Sequence, residues 1–288
     1  MNNKIIVDIV ESNYNEILSI RKHLHSYPEL SEQEYETSKY IENLLNKWGV
    51  KYKKVADTGI FAYIKNGNGK KIAFRADMDA LPINEQTDVD FKSKHENIMH
   101  ACGHDIHMAV QLGVVKCLVE NMNLWSGEVR FFFQPAEETV GGAKRMLLEG
   151  VNDDKADAIF GLHCAPEIKA GNIGIKYGKL HATSAVFNLE IIGKSAHAAL
   201  AYKGIDSIVI ATKVVDYLQT IVSRKIDARD CAVITVGTFN GGVAENVVAE
   251  KTTLTGTIRT LTKETKKYIV DIINHELKDF VKSHGAKL

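Results

Sequence analysis

The chain has 288 residues, of which 45% are hydrophobic and 25% are charged, and its 36 Lys and Arg residues balance its 36 Asp and Glu residues. This composition excludes a mainly disordered chain, because enough apolar surface is available to build a core. The zero net charge argues against a nucleic-acid-binding protein, which needs a basic surface. At about 150 residues per domain, the length favours two domains.

The sequence has no segment that predicts a membrane partner. No stretch approaches the ~20 apolar residues of a membrane span, and the first apolar run, at 5–7, is interrupted by Asp8, unlike the core of a signal peptide. The four cysteines lie far apart. We therefore expect a cytoplasmic protein without disulfides. Cys117 and Cys231 stand in apolar patterns and are predicted to lie in the core.

The first part of the chain alternates helical and strand patterns. Helical spacing covers 3–26 and 31–48, and Ser31 followed by Glu34 has the pattern of a capping box for the second helix. Two further helices are predicted at about 107–122 and 141–149, and five strands at about 50–56, 60–66, 70–77, 128–133 and 158–162. This alternation predicts a largely parallel sheet flanked by helices.

The pattern changes after about residue 180. The predicted order is strand, helix, strand, strand, helix, at 186–192, 204–224, 232–239, 252–259 and 262–284. This order is the β-α-β-β-α-β plan without its last strand. The expected architecture is therefore an α/β fold, with a parallel-sheet domain at 1–180 and a smaller ferredoxin-like α+β domain at 181–288 that is incomplete at its C-terminus.

Polar residues cluster where three strands of the first domain end. The polar residues lie at 75–82 at the end of one strand, at 134–138 after a second, and at His163 and Cys164 after a third. The carboxyl ends of strands in open α/β sheets are where ligands bind. The segment 99–107 adds three His, one Cys and one Asp, which are the donor types that divalent metals prefer. The coincidence of these clusters predicts a metal site.

Glu137 and Glu138 are adjacent carboxylates after an apolar strand, so they repel each other and are costly to desolvate together. A metal would hold one of them and leave the other free as a base. A solvated helix start is the alternative, since acids are common there. Another alternative makes Cys102 a nucleophile with His104 as its base. That reading leaves the two glutamates and His163 unexplained.

With these motifs the chain resembles the amidohydrolases that include hippurate hydrolases, N-acetyl-diaminopimelate deacetylases and indole-acetyl-amino-acid hydrolases. These belong to the aminoacylase and carboxypeptidase-G-like dinuclear metallopeptidases. The likeness runs through essentially the whole chain. It rests on RKHLHSYPELSEQE at 21–34, RADMDALP at 75–82, MHACGHDIH at 99–107, FQPAEE at 133–138, GLHCAP at 161–166, GKSAHAA at 193–199, GGVAENVV at 241–248 and GTIRT at 256–260.

The resemblance implies a catalytic domain with a site for two divalent metal ions. The positions that match its ligands are Cys102, His104, Glu138 and His163. Glu137 matches the general base, which activates the attacking water and later passes the proton to the leaving amine. Asp79 matches an acid that orients the site. The Cys and His donors favour zinc, with manganese, cobalt and nickel as alternatives.

The resemblance makes the second domain a lid through which the chain forms a homodimer. His197 matches a residue that reaches across the dimer to stabilise the oxyanion. Asn246 and Arg259 match residues near the substrate carboxylate, a task that suits the Arg fork. From the residues alone, Asn246 could equally shape a turn and Arg259 could equally be a solvated strand residue.

Members of the family are longer than this chain. After the lid they return to the catalytic domain, with a last His ligand and a Gly-Ser-Glu-Asp-Phe-like segment that this sequence does not contain. The implied function is a metal-dependent amidohydrolase that cleaves the amide bond of N-acyl amino acids or similar small amides. The alternative is a truncated, inactive, dimerising remnant of that enzyme.

Overall fold

A computed structural model gives the fold of residues 3–139, 141–180 and 182–288, which divide into two units, Met1–Gly171 and Asn172–Leu288. The first unit contains α1 (Asn3–Ser26), α2 (Tyr35–Lys47), β1 (Lys51–Val55), β2 (Gly59–Asn66), β3 (Lys71–Asp77), α3 (His104–Glu120), β4 (Gly127–Gln134), α4 (Gly142–Leu148) and β5 (Ala158–Gly161). The second contains β6 (Thr183–Ile192), α5 (Ser207–Thr220), β7 (Ala232–Gly241), β8 (Lys251–Thr260), α6 (Lys263–Ile272) and α7 (Lys278–Ser283).

The first unit is a sheet with strand order β1-β2-β4-β3-β5 and helices on both faces. β3 pairs in parallel with β4 and β5, whereas β2 pairs antiparallel with β1 and β4, so only β2 runs against the other four strands. Phe131 and Phe133 of β4 pack with α1, α2 and α3, while Phe132 packs with Met146 of α4 on the opposite face. The prediction of a largely parallel sheet flanked by helices is confirmed.

The second unit is an antiparallel sheet with strand order β6-β8-β7. Leu189, Leu254 and Ile234, one from each strand, share a core with residues of α5 and α6. Along the other edge of β6, Ile192 and Lys287 exchange two main-chain hydrogen bonds of 2.9 Å. The predicted order of strand, helix, strand, strand and helix is the observed order.

The predicted capping box is wrong. α2 begins at Tyr35, and Glu34, the residue before it, makes no side-chain capping hydrogen bond. The hydroxyl of Ser31 instead donates to Asp79 Oδ2 at 2.6 Å. The Glu34 carboxylate turns inward to partners on other elements. Tertiary hydrogen bonds to buried groups have displaced the local pairing that the spacing favours.

The structure shows the burial of the cysteines that were predicted to lie in the core, and the length and apolarity of the helices. The four cysteines are free, and Cys117 is half-buried. Cys231 is exposed just before β7, so its predicted core position is wrong. Among the helices of the described residues, none combines the length and apolarity that crossing a bilayer requires.

Candidate metal centre

The predicted ligands lie along one edge of the first sheet. β4, β3 and β5 are parallel neighbours, so the residues that follow them emerge side by side. Ligand atoms of Cys102, His104 and His163 lie within 4.8 Å of one another, and the same holds for His104, Glu137 and Glu138. His104 belongs to both groups. It is the first residue of α3, which begins three residues before the predicted start. The structure thus brings together the five residues that the sequence singles out at this edge.

Main-chain carbonyls fix the imidazole of both histidines. Nδ1 of His104 lies 2.8 Å from the carbonyl oxygen of Asp79, and Nδ1 of His163 lies 2.8 Å from that of Cys164. A carbonyl oxygen only accepts, so each Nδ1 is the donor and carries the proton. In the neutral form of each ring, the lone pair of Nε2 is therefore left for a ligand. In His163, Nε2 is 3.3 Å from the sulfur of Cys102.

Three buried polar atoms at this edge have no hydrogen-bond partner among the described residues: Nε2 of His104, Oε1 of Glu138 and Oδ1 of Asp79. The first two lie 3.8 Å apart. Buried polar atoms are nearly always paired, so an unpaired couple requires an explanation. A divalent cation accepts both an imidazole nitrogen and a carboxylate oxygen, and a neighbouring thiolate suits zinc in particular. The residues present therefore fit a bound metal.

The surrounding charges favour a cation. Burial opposes ionisation of Asp79, but hydrogen bonds from His104, Ser31 and the Glu138 N–H hold the pKa of its carboxyl well below the usual value. Burial likewise opposes protonation of His104, yet its contacts with Asp79 and the charge of Asp77 raise its pKa. Positive charge is thus stabilised at this edge.

The negative charges at this edge also argue against Cys102 as a nucleophile. Burial and the hydrogen bond and charge of Glu138 raise the pKa of the thiol to about 12. A reactive cysteine needs a lowered pKa, because the thiolate attacks. The imidazole nitrogen at hydrogen-bonding distance from this sulfur belongs to His163 and not to His104. A bound cation would supply the positive charge that ionises the thiol.

Glu137 and Glu138 lie in a loop, not at a helix start. β4 ends at Gln134, and α4 begins only at Gly142. Glu137 is exposed and Glu138 half-buried. The loop is held from behind by Glu34, which is fully buried and accepts from the Ala136 N–H at 2.8 Å and from the Thr58 hydroxyl at 2.6 Å.

Removal of the Glu34 carboxylate should destabilise the first unit. Glu34→Ala leaves the buried Ala136 N–H and Thr58 hydroxyl without partners, which costs roughly 3 kcal/mol of unfolding free energy. Denaturant unfolding followed by tryptophan fluorescence measures this, because Trp48 and Trp125, the two tryptophans, lie in that unit. Glu36→Ala, at an exposed position on α2, is the matched control. Equal losses in both variants would contradict the anchoring role.

Residues 73–282 match the sequence model of Peptidase family M20/M25/M40. The chain belongs to this family. It is 44% identical over 256 residues to N-acetyl-L-cysteine deacetylase of Bacillus subtilis, covering 88% of this chain and 61% of that enzyme. It is 43% identical over 257 residues to N-acetyldiaminopimelate deacetylase of Lactobacillus acidophilus, covering 86% and 67%. The chain thus spans about two thirds of the length of these relatives, and the predicted family is confirmed.

Solved structures agree with this M20 assignment. An aminohydrolase chain from methicillin-resistant Staphylococcus aureus superposes with a TM-score of 0.94 at 35% identity, covering 99% of this chain and 77% of that one. A dinuclear metal binding peptidase of the M20 family from Bacillus subtilis gives 0.82 at 35% identity, covering 96% and 72%. The fold of the M20 chain is therefore shared with a protein that binds two metals.

The M20 chain has a second layer of buried charge that the sequence analysis missed. His25 on α1 lies between Asp105 and Glu85, with a distance of 3.0 Å from a ring nitrogen to each carboxylate. Nε of Arg21 donates to Asp105 at 3.2 Å. These residues line a cleft of about 500 Å³ that also reaches Cys102 and His163. The available signal was Arg21 and His25 one helical turn apart in RKHLH, which places both on one face.

Raising the pH should weaken the contribution of His25 to stability. The hydrogen bond to Asp105, against the opposing effect of burial, and the nearby Glu85 raise its pKa above the ordinary value. The folded state thus favours the charged ring. Its stabilisation is complete below the unfolded pKa of about 6.5 and is lost as the pH rises through the folded pKa.

The test compares the metal-free chain with His25→Gln from about pH 6 to about pH 8, around that unfolded pKa. Tryptophan fluorescence gives the free energy of unfolding of the first unit. The difference between the two proteins should shrink as the pH rises. The pKa values of Asp105 and Glu85 are lowered, so their own titration falls at more acidic pH. A difference that is independent of pH would contradict the prediction.

The remaining predicted site residues lie in the second unit. His197 is exposed, and its Nδ1 accepts from the Ala199 N–H at 3.1 Å. Asn246 lies next to it, because its carbonyl accepts from the Ala198 N–H at 3.0 Å. Arg259 is exposed on β8. The structure therefore joins the loops of His197 and Asn246 within this unit.

Proposed function

We propose that this M20 chain is a metal-dependent amidohydrolase that cleaves the amide bond of N-acyl amino acids or similar small amides. The observation that carries the proposal is the unpaired couple of His104 Nε2 and Glu138 Oε1, 3.8 Å apart and buried. The free carboxylate of Glu137 stands beside it. Two relatives at 43–44% identity are deacetylases, one of N-acetyl-L-cysteine and one of N-acetyldiaminopimelate.

The residues that would hold two divalent metal ions, with zinc the favoured element, are Cys102, His104, Glu138 and His163. When bound, such ions polarise the amide carbonyl and lower the pKa of the attacking water. Asp79 would keep its proposed orienting role through its hydrogen bonds with Ser31 and the Glu138 N–H. The cleft of about 500 Å³ is of the size that small ligands occupy.

Glu137 would carry the proton. No hydrogen bond within the described residues engages its carboxylate, so its lone pairs are available for a water molecule. One water proton passes to Glu137 while the water oxygen bonds to the amide carbon. The carbon–nitrogen bond then breaks, and the proton moves from Glu137 to the leaving amine. The products are a carboxylic acid and an amino acid.

We assign the second domain, 181–288, as a ferredoxin-like lid through which the chain forms a homodimer, and the first, 1–180, as the catalytic domain. His197 would stabilise the oxyanion across the dimer, and Asn246 with Arg259 would bind the substrate carboxylate. The proximity of the His197 and Asn246 loops supports their joint role. The proposed compartment is the cytoplasm.

The test is metal content together with hydrolysis. The chain is purified without chelator or affinity metal, its metal is measured by elemental analysis, and amine release from N-acetyl amino acids is followed. We expect about two divalent ions per chain and amine release that chelation abolishes. About one ion or none, with no hydrolysis, would support the inactive remnant instead.

A further inference from the structure

The main chain of Cys164 is held between two imidazole rings. Its N–H donates to Nε2 of His107 at 2.9 Å, and its carbonyl oxygen lies 2.8 Å from Nδ1 of His163. The rings of His107 and His163 also contact each other, with centroids 4.9 Å apart. The main chain of one residue thus connects a buried histidine to a proposed metal ligand.

The hydrogen bonds of His107 define its protonation. Nε2 accepts from the Cys164 N–H, so a neutral ring must carry its proton on Nδ1. Nδ1 lies 2.6 Å from Asp77 Oδ1, and Asp77 Oδ2 accepts from Arg75 Nη1 at 2.6 Å. His107 and Asp77 are each 1% exposed. Both ring nitrogens of His107 are therefore engaged inside the protein.

We propose that His107 is a positioning residue that acts through the main chain of Cys164 to hold the ring of His163 with Nε2 facing Cys102. It is not a metal ligand, although its nitrogen, that of His104 and an oxygen of Asp77 lie within 4.8 Å of one another. The inference rests on the proposed function, because it concerns the presentation of one of that site's ligands. Groups behind metal ligands fix tautomer and ring orientation in this way.

Close packing limits other arrangements of the Cys164 peptide. Cys164 Sγ lies 3.9 Å from the carbonyl oxygen of Gly103, the residue between Cys102 and His104. A Cβ atom at Gly103 would lie 3.0 Å from that sulfur, and the φ of Gly103 is +83°. The Cys164 loop is thus seated against the loop that carries two other proposed ligands. Rotation of the His163 ring would break the hydrogen bond to Cys164 while this seating stays in place.

The experiment reads the histidine tautomers directly in the metal-free full chain. Nitrogen-15 NMR of the imidazoles is recorded about one and a half pH units above the ordinary histidine pKa of about 6.5, so that ordinary rings are neutral. In the wild type, His107 and His163 should both be protonated on Nδ1. An Nε2 proton on His107 would overturn the proposal.

Two variants separate the Cys164 contact from the Asp77 contact. The amide oxygen of His107→Gln can replace Nε2 as acceptor for the Cys164 N–H, whereas His107→Asn keeps a donor for Asp77 but is too short to reach Cys164. We expect His163 to retain its Nδ1 tautomer in His107→Gln and to become a mixture of tautomers in His107→Asn. An unchanged His163 in His107→Asn would overturn the proposal.

Zinc alone gives a second readout. Addition of Zn²⁺ to the wild type should shift Nε2 of His104 and His163 and leave Nε2 of His107 unshifted, and a shift of His107 would identify it as a ligand and refute the proposal. The zinc dissociation constant should rise about 10–100-fold in His107→Asn and less in His107→Gln. A wild type that binds no zinc would refute the proposed function, while the tautomers would still decide the role of His107.

Discussion

Glu137→Gln should lower kcat for the hydrolysis of N-acyl amino acids by about 10²–10⁴-fold, the range for loss of a positioned general base. Glutamine keeps the shape of the side chain but cannot accept a proton from water. Glu137 is exposed in the loop after β4, and none of the described residues bonds to its carboxylate, so its replacement should leave the fold and the metal content intact. Initial rates and elemental analysis of the same preparation measure both quantities.

The control for this variant is Glu36→Gln, which changes an exposed carboxylate on α2. It should retain the wild-type kcat and metal content. Full activity of Glu137→Gln would refute its assignment as the base. Loss of metal from Glu137→Gln would instead make Glu137 a ligand, because its carboxylate lies within 4.8 Å of the ligand atoms of His104 and Glu138.

Cys102→Ser should weaken zinc binding by more than about 100-fold, since even residues behind metal ligands contribute 10–100-fold. A serine hydroxyl stays protonated where a thiol can ionise, and it is a poorer ligand for zinc than a thiolate. In the metal-free protein, burial and the hydrogen bond and charge of Glu138 raise the pKa of the Cys102 thiol to about 12. Binding is therefore expected to release the thiol proton, which a pH-dependent zinc titration detects.

Cys231→Ser is the matched control, because Cys231 is an exposed free cysteine of the second unit. It should bind zinc like the wild type. Equal zinc affinities in both variants would contradict the role of Cys102 as a ligand. If Cys102→Ser kept its metal and lost only turnover, the result would favour Cys102 as a nucleophile over Cys102 as a metal ligand.

The local pattern of the sequence was sufficient for much of this fold. A buried strand is a short apolar run, and an amphipathic helix repeats every 3.6 residues, so β4 and α1 can be predicted from residues adjacent in the chain. Since the carboxyl ends of parallel strands share an edge, the strand-end positions of Asp79, Glu138 and His163 also predicted a common site. The family motifs added the separate roles predicted for Glu137 and Glu138, as general base and metal ligand.

The hydrogen-bond partners that lie far apart in the sequence were decided only by the tertiary structure. Ser31 and Glu34 have the spacing of a capping box, yet Ser31 binds Asp79, 48 residues away, and Glu34 binds the main chain of Ala136, 102 residues away. The role of His107 depends on a main-chain N–H at position 164. Sequence periodicity indicates which face of a helix or strand is buried, because each residue on that face must itself be apolar. A hydrogen bond depends on the distance and direction between two atoms, and these are set only when separate elements have packed.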